Sequence, residues 1–416
     1  MTASAESHRL WKSAKAHGIT RRRFLALLSA GGAAAVLAAC GDWSASDKAA
    51  TPALEQAQPV SSEEKSAWFK DTATFIRHED KGLEAHLENM QGLITPRHLF
   101  FVRNNSVSVD IDASQWRLAI EGDAVANPMQ LSYDRIRNLP SRTVVSYLEC
   151  AGNHRAMFDL VNGQAAKGTQ WMTGAIGNAE WTGVSLRDAL ILAGITDDAT
   201  SILLIGQDTE SPEGGFRRVI PVDKAMHPDT LLAYALNGDV LPKDHGYPLR
   251  ALLPGWVGSS SIKWLSRIEV SSADIWTRNN TTSYVLIGDD YPAQGEAQGE
   301  VVTTQNIKSA LALPWPAELT VGLHRIHGYA HSPNGGIVSV EWSDDSGSAW
   351  HSATILEPQV QYSWARFEFA WNAQSGEHTI MTRATDTQGN TQPDAIPFNE
   401  KGYLFNQPLP HPVTVF

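Results

Sequence analysis

The chain has 416 residues, of which 42% are hydrophobic and 19% are charged, which is typical of a folded protein with room for two domains. Its formal net charge of −12 at pH 7 argues against nucleic acid as a partner, because nucleic-acid binding needs a basic face. The presence of only two cysteines excludes a disulfide framework.

The N-terminal segment has the pattern of a bacterial export signal. Three arginines, Arg21 to Arg23, precede an apolar run from Phe24 to Ala39 that is short for a membrane-spanning helix. The pattern resembles a twin-arginine signal, and its Leu-Ala-Ala-Cys ending at Cys40 resembles a lipobox, in which the cysteine is lipidated. We therefore predict a signal over residues 1–40 and export to the periplasm in the folded state. A lipid anchor on Cys40 is one outcome, and an ordinary signal peptide is the other.

Export would make the protein more acidic. Residues 1–39 carry six Lys or Arg and one Glu, so their removal changes the formal charge from −12 to −17. Such a charge suits a basic partner, although it also serves simply to keep a protein soluble.

The next part of the chain mixes strands and short helices. After a small, polar linker over residues 41–64, the apolar runs 142–149 and 201–208 predict buried strands. Residues 182–195 have helical spacing, with Ser185 as the N-cap and Gly194 as the stop, and Asn237-Gly238 predicts a hairpin turn.

The pattern of apolar and polar residues changes toward the C-terminus. From about residue 315, short runs alternate apolar and polar residues and are separated by turn residues such as Ser332-Pro333-Asn334-Gly335-Gly336. This pattern predicts an antiparallel sandwich of immunoglobulin type. The sequence therefore indicates a mixed domain of strands and short helices up to about residue 275 and an all-β domain from about residue 315, with a crossover between them.

The stretch SYLECAGNHRAMF, Ser146–Phe158, places Cys150 where a predicted strand meets a glycine-containing turn. Such a strand end holds a side chain rigidly at the edge of a cleft. The residues alone leave Cys150 open as a buried apolar side chain, a disulfide partner, a nucleophile or a metal ligand. If Cys40 is lipidated or removed, no second thiol remains for an intramolecular disulfide. One thiolate cannot hold a metal alone, so an organic cofactor would have to supply further donors.

Common catalytic motifs do not explain the chain. The sequence contains no C-x-x-C-H haem motif, no H-E-x-x-H zinc motif, no Walker loop and no G-x-S-x-G elbow. Five other segments, in this order, resemble the sulfite oxidase family of molybdenum enzymes. They are LFFVRNN (99–105), ECAGNHR (149–155), KGTQWMTGAIGNAEWTGVSLRDAL (167–190), LLAYALNGDVLPKDHGYPLRALLPGWVG (231–258) and SIKWLSRIEV (261–270). The C-terminal strands resemble the dimerisation domain of the same family, so the resemblance covers residues 65–416.

The resemblance implies a fold and a cofactor. The fold is a mixed α+β molybdopterin-binding domain over residues 65–300 followed by an immunoglobulin-like dimerisation domain over residues 301–416, which implies a homodimer. The cofactor is molybdenum-molybdopterin, with Cys150 as the protein ligand of the metal. The positions that match cofactor contacts are Arg103, Asn104, Asn105, Cys150, Asp208, His245, Arg250 and Lys263. Arginine suits the phosphate of such a cofactor, because its guanidinium binds phosphate oxygens in pairs.

The resemblance also implies a pocket for a small sulfur anion. The matching residues are Arg103, Arg155, Trp171 and Tyr284, with Lys167 in the same segment as Trp171 and with Tyr291 as a competitor for the role of Tyr284. Local cations are needed because the protein is acidic as a whole.

The chain departs from the family pattern in three places. Asn105 stands where many members have His, and His154 stands where animal and plant members have Arg. The substrate arginine that the family draws from its C-terminal domain has no clear match, and Arg366 is the nearest candidate.

The resemblance implies an enzyme that oxidises sulfite to sulfate by oxygen-atom transfer. We see no room for a haem domain after the signal, so electrons are expected to pass to a separate c-type cytochrome. Two alternatives remain open: the molybdenum subunit of a sulfane dehydrogenase, and a lipoprotein that keeps the fold without turnover.

Overall fold

Strands form most of the structure, a computed structural model that describes residues 68–79, 82–357 and 359–416. The predicted signal and linker, residues 1–64, lie outside the described residues. The described chain begins with an antiparallel sheet of three strands, β1 (Phe75–His78), β2 (Gly82–Ala85) and β3 (Val102–Arg103).

Two five-stranded sheets carry the next part of the chain. One contains β6 (Arg142–Glu149), β7 (Ile176–Ser185), β10 (Leu231–Leu236), β11 (Asp239–Val240) and β12 (Arg250–Leu252). Its strand order is β11-β10-β7-β6, and β12 also pairs with β10. The other contains β4 (Arg117–Glu121), β5 (Met129–Ser132), β8 (Ser201–Gly206), β9 (Arg217–Pro221) and β13 (Leu265–Ser271), in the order β5-β4-β13-β8-β9. The parallel pairing of β4 with β13 makes this second sheet mixed.

The helices are short. They span Tyr133–Arg137, Ala156–Leu160, Leu186–Ala193, Val222–Ala225 and Arg278–Thr281, with 3-10 turns at Leu87–Asn89, Arg97–Leu99, Lys243–His245 and Gly258–Ser260. In the described part of the chain, no helix is long and apolar enough to cross a membrane.

Several predicted elements are confirmed. The run 142–149 is β6, and the run 201–208 forms β8 up to Gly206. The helix Leu186–Ala193 ends at Gly194, which has a φ of 71°, although the hydroxyl of Ser185 makes no capping hydrogen bond. Asn237 and Gly238 both have positive φ and form the β10–β11 hairpin turn.

The C-terminal part is a sandwich of two sheets, as predicted. One sheet contains β16 (Lys308–Leu311), β18 (Gly322–His331), β21 (Thr354–Ile355) and β22 (Ala365–Ala373), in the order β16-β18-β22-β21. The other contains β17 (Ala317–Leu319), β19 (Ile337–Ser343), β20 (His351–Ser352), β23 (Gly376–Asp386) and β24 (His411–Val415), in the order β17-β24-β23-β19-β20. Alternate residues of β22, including Phe367, Phe369 and Trp371, are buried in the core between the sheets, because successive side chains of a strand point to opposite faces.

The sandwich packs directly on the part of the chain that precedes it. The short strands β14 (Val285–Leu286) and β15 (Glu300–Val301) pair with each other, so the predicted boundary at residue 300 falls inside β15. Tyr329 and Trp364 of the sandwich share a hydrophobic core with Tyr147 of β6. Lys65–Phe416 accordingly forms one compact unit.

Candidate active site

The turn after β6 holds Cys150 in a fixed position. The Cys150 amide donates to the carbonyl oxygen of Ala175 at 2.9 Å, and the Cys150 carbonyl accepts from the Asn153 amide at 2.9 Å. Gly152 lets the Arg155 side chain fold back over the turn, since a Cβ atom at this position would lie 2.4 Å from the Arg155 guanidinium. The thiol of Cys150 is free and half-buried.

Cys150 opens onto a cavity that encloses about 690 Å³ including open solvent, and we call it the inner cavity. Its lining contains all of the sequence-predicted cofactor positions: Arg103, Asn104, Asn105, Cys150, Asp208, His245, Arg250 and Lys263. Tyr284 lines the same cavity. The structure therefore brings together residues that are far apart in the chain, such as Arg103 and Lys263, which are 160 positions apart.

The turn that carries His245 into the wall of the inner cavity packs closely on the backbone at Lys263. The 3-10 turn Lys243–His245 ends at Gly246, which has a φ of 102°. A Cβ atom on Gly246 would lie 2.9 Å from the Lys263 Cα, so a side chain here would push the turn away from the residues just before β13. The Lys263 ammonium donates to the Asp244 carbonyl at 2.8 Å and to the Asn104 side chain.

The inner cavity contains several cationic side chains that form no ion pair with a carboxylate among the described residues. Arg250 donates only to the carbonyl oxygens of Ala251, His245 and Ser261, and burial lowers its pKa to about 9. Burial, followed by the charge of Arg250, lowers the pKa of Lys263 well below its usual value. One guanidinium nitrogen of Arg103, Nη1, is buried and has no hydrogen-bond partner in the part of the chain that the structure describes. An anionic ligand would stabilise these groups, because buried cations need a counter-charge.

Asp208 is the one carboxylate among the predicted cofactor positions. It accepts hydrogen bonds from the Ser211 hydroxyl at 2.5 Å and from the Phe216 amide at 2.9 Å. The carboxylate is thus already hydrogen-bonded within its own loop, and this loop forms part of the cavity wall.

A wider cleft lies in front of Cys150, and we call it the outer cleft. It encloses about 1530 Å³ including open solvent, and its lining is Arg77, His78, Glu79, Arg103, Cys150, Arg155, Lys167, Gly168, Thr169, Gln170, Trp171, Ser283, Tyr284, Lys401 and Tyr403. Arg103, Cys150 and Tyr284 line both the inner cavity and the outer cleft. Cys150 therefore stands where the two spaces meet.

Arg155 is held rigidly in the wall of the outer cleft. Its Nε donates to the Lys401 carbonyl and its Nη1 to the Thr169 carbonyl, both at 2.6 Å. Its guanidinium lies over the Tyr403 ring, 5.2 Å from the centroid. Burial lowers the pKa of Arg155, and the neighbouring Cys150 and Tyr403 partly oppose this effect.

Tyr284, and not its competitor Tyr291, lies at the meeting point of the two spaces. Tyr284 has a φ of 52°, a strained conformation for a bulky residue, and stacks on Tyr403 with ring centroids 5.4 Å apart. The Tyr291 hydroxyl donates to the Pro397 carbonyl at 3.3 Å, and Tyr291 lines neither space. Trp171 is fully buried in the cleft wall.

Sequence reasoning missed Lys401 and Tyr403. Both reach the outer cleft from the segment between β23 and β24, whereas Arg366 lines neither space and is paired with Glu357. Lys401 is thus the cation that the C-terminal part contributes to the cleft. The Lys-Gly-Tyr sequence at 401–403 was the available signal, but it lies outside the alternating strand pattern.

A buried charged cluster lies behind the Cys150 turn. The Glu149 carboxylate contacts the Lys308 ammonium at 2.9 Å, the Asn153 amide at 2.9 Å and His331 Nε2 at 3.3 Å. Burial would raise the pKa of Glu149, but Lys308 and His331 together hold it well below its usual range. His154 is buried beside this cluster, and burial lowers its pKa to about 3.

The described side chains do not form a metal site of their own. Within the described ranges, no group of three or more His, Cys, Asp or Glu side chains is placed to hold a metal ion. Cys150 with the cationic inner cavity fits a different arrangement, in which an anionic organic cofactor supplies the remaining donors.

Comparison with known proteins supports the same assignment. Residues 104–278 match the family model described as the oxidoreductase molybdopterin binding domain, and residues 300–409 match the Mo-co oxidoreductase dimerisation domain. The chain is 35% identical to sulfite oxidase from Gallus gallus over 335 residues, which cover 75% of this chain and 71% of that protein.

Two further comparisons extend this result. The chain is 31% identical to the mitochondrial sulfite oxidase of Drosophila melanogaster over 339 residues, 75% of this chain and 58% of that protein. It therefore spans less than two thirds of the length of this mitochondrial relative. The crystal structure of the sulfane dehydrogenase SoxCD from Paracoccus pantotrophus superimposes with a TM-score of 0.71 at 26% identity, covering 84% of this chain and 89% of that one.

Proposed function

Because the chain belongs to the sulfite oxidase family of molybdopterin oxidoreductases, we propose that it oxidises a small sulfur anion, foremost sulfite to sulfate. The observation that carries the proposal is the position of Cys150 between the inner cavity and the outer cleft. A group bound through Cys150 would be buried on one side and reachable by a substrate on the other.

The inner cavity fits the family cofactor, molybdenum-molybdopterin. Cys150 would bind the metal, while His245, Arg250 and Lys263 would hold the anionic pterin and its phosphate. The buried, unpartnered Nη1 of Arg103 supports this assignment, since it lacks an acceptor without a ligand. When bound, the cofactor supplies the oxygen atom for the substrate and accepts two electrons from it.

The residues of the outer cleft would select and orient the anion. Arg103, Arg155 and Lys401 make the cleft locally positive, although the whole chain has a formal charge of −12. Arg155 cannot swing away, because two carbonyl oxygens and the Tyr403 ring hold its guanidinium. Tyr284 would donate its phenolic proton in a hydrogen bond to the bound anion, and Trp171 would exclude water from one wall.

The partners follow from the same reasoning. We propose a separate c-type cytochrome as the electron acceptor, because the acidic chain would attract a basic protein. The C-terminal sandwich matches a dimerisation domain, which supports a homodimer. Export to the periplasm by the twin-arginine route, with or without a lipid on Cys40, is proposed from residues 1–40 alone.

A second candidate is oxidation of sulfur bound to another protein, as in a sulfane dehydrogenase. The likeness to SoxCD over 84% of the chain favours it. The outer cleft, which encloses about 1530 Å³ including open solvent, would offer room for the end of a peptide. A lipoprotein that keeps the fold without turnover is the third candidate.

Metal analysis and a substrate panel separate these candidates. Purified protein should contain about one molybdenum per chain and should oxidise free sulfite with cytochrome c or a dye as acceptor. Activity with thiosulfate or protein-bound sulfur but not with sulfite would favour the second candidate. Molybdenum-free protein, or a Cys150→Ser variant with full activity, would refute the proposed enzyme.

A further inference from the structure

The segment Trp68–Lys70 touches the wall of the inner cavity, although it lies outside the regions that match the family models. Trp68 is buried with 4% of its surface exposed. The backbone amide of Phe69 donates to both carboxylate oxygens of Asp244, at 3.0 and 3.1 Å. Asp244 immediately precedes His245, so this contact fixes the turn that carries a predicted cofactor position.

Lys70 makes a second and more specific contact with this turn. Its ammonium lies 2.7 Å from the Phe100 carbonyl oxygen, 2.9 Å from His245 Nε2 and 3.2 Å from the Arg97 carbonyl oxygen. An ammonium has three donors and no acceptor, which matches these three neighbours. Burial lowers the pKa of Lys70 to about 8, while Asp244 acts to raise it, so the ammonium form prevails at pH 7.

The contact determines where His245 carries its proton. Because the ammonium donates to Nε2, this nitrogen must be unprotonated, and the ring proton lies on Nδ1. Burial, with the charges of Lys70 and Lys263, holds the pKa of His245 well below its usual value, so the ring is neutral. With Nε2 occupied, Nδ1–H is the ring donor that remains on His245, and His245 lines the inner cavity.

We propose that residues 68–70 form a clasp on the inner cavity, in which Lys70 fixes His245 as the Nδ1–H tautomer and makes it a donor to an anionic group of the cofactor. The second half of this proposal rests on the proposed function, since it assumes the molybdopterin cofactor. Lys70 is a positioning residue, because it acts through His245 and does not line the inner cavity itself. Removing the partner that orients a metal-binding histidine typically costs 10- to 100-fold in affinity or activity, and we expect a loss of about the same size for a histidine that binds the cofactor.

The tautomer can be measured directly in the unmodified protein. A long-range ¹H–¹⁵N correlation spectrum of the full chain at pH 7 should show His245 with a protonated Nδ1 and an unprotonated Nε2. The His245→Gln variant identifies the signal by its disappearance. A protonated Nε2 at His245 would overturn the proposal without any variant at Lys70.

Cofactor retention tests the consequence. In Lys70→Met, which keeps an unbranched side chain but no donor, the cofactor should leave the loaded protein at least about tenfold faster than in the unmodified protein. The release is followed by the fluorescence of the oxidised pterin and by the molybdenum content. Lys70→Arg, which restores a cationic donor, should recover part of the retention. Release from Lys70→Met at the unmodified rate would refute the clasp.

Lys224→Met is the matched control for a structural effect. Lys224 is also largely buried, donates to the Pro254 carbonyl at 2.9 Å and has a pKa lowered to about 8 by burial, but it lines neither space. Its cofactor release should stay within about twofold of the unmodified protein, and equal acceleration in both variants would assign the effect to general destabilisation. Absence of molybdenum from the unmodified protein would defeat the proposed function, whereas the tautomer measurement would still decide the role of Lys70.

Discussion

Replacing Lys308 by methionine should destabilise the protein strongly, because it removes the main counter-charge of Glu149. The Lys308 ammonium lies 2.9 Å from the Glu149 carboxylate, and both side chains are at most 2% exposed. Glu149 remains ionised at neutral pH, since Lys308 and His331 outweigh the effect of burial on its pKa. Breaking a buried pair from one side costs about 3–5 kcal/mol.

The size of the effect on thermal unfolding follows from the size of the unit. For the unit Lys65–Phe416, about 350 residues at about 2.1 cal/mol/K each give an unfolding entropy of about 0.7 kcal/mol/K. A loss of about 3–5 kcal/mol therefore lowers Tm by about 4–7 °C. Differential scanning calorimetry of the purified protein measures this shift.

The double variant Glu149→Gln/Lys308→Met tests the cause. It removes the buried charge together with its partner, so it should regain at least about 1 kcal/mol relative to Lys308→Met alone. Arg325→Met, which breaks the exposed pair with Glu368, should shift Tm by less than about 1.5 °C. If the double variant is no more stable than Lys308→Met, the charge left on Glu149 is not the source of the loss.

Three further outcomes test the site. Cys150→Ser should lose molybdenum and sulfite oxidation while its Tm without cofactor stays within about 2 °C, and retained metal would contradict the assigned ligand. Lys401→Met should raise KM for sulfite about tenfold and change kcat less than threefold, whereas Lys224→Met should leave both constants unchanged. If Lys401→Met lowers kcat and leaves KM unchanged, Lys401 does not act by binding the anion. The pKa of His154 is lowered to about 3 by burial, so from about pH 6 to pH 4 the unfolded chain binds a proton there that the folded chain does not. As the pH falls over this range, the free energy of unfolding should therefore decrease less steeply in His154→Gln than in the unmodified protein, by up to about 1.4 kcal/mol per pH unit. The same substitution at the exposed His98 should leave the slope unchanged. Equal slopes in His154→Gln and the unmodified protein would refute the burial argument.

The sequence predicted the cofactor side of the site better than the substrate side. The positions around Cys150, His245 and Lys263 lie in ordered motifs next to strands with clear apolar patterns, and the structure places them around one cavity. Lys401 and Tyr403 escaped prediction because they lie in an irregular segment after the last long strand of the sandwich. Their position depends on tertiary contacts such as the bond from Arg155 to the Lys401 carbonyl, across 246 positions of the chain.

Lys70 escaped prediction for a related physical reason. Its neighbours are two backbone carbonyls and a ring nitrogen, and backbone acceptors leave no residue-type pattern in a sequence. The Glu149–Lys308 pair is similar, because a single Glu before Cys150 gives no indication of a partner 159 positions away. Predictions from residue types thus reach ligand-binding motifs more readily than the contacts that position them.

The C-terminal sandwich contributes to the site on both sides of Cys150. Lys308 balances the charge of Glu149 behind the turn, while the segment after β23 places Lys401 and Tyr403 in the outer cleft. A chain ending near residue 300 would therefore leave Glu149 without its ammonium partner, and Arg155 without the Lys401 carbonyl that holds its guanidinium. Since Arg155 and Glu149 flank Cys150 within one turn, both losses would disturb the same backbone. The sandwich, which matches the family's dimerisation domain, thus also contributes to the candidate active site.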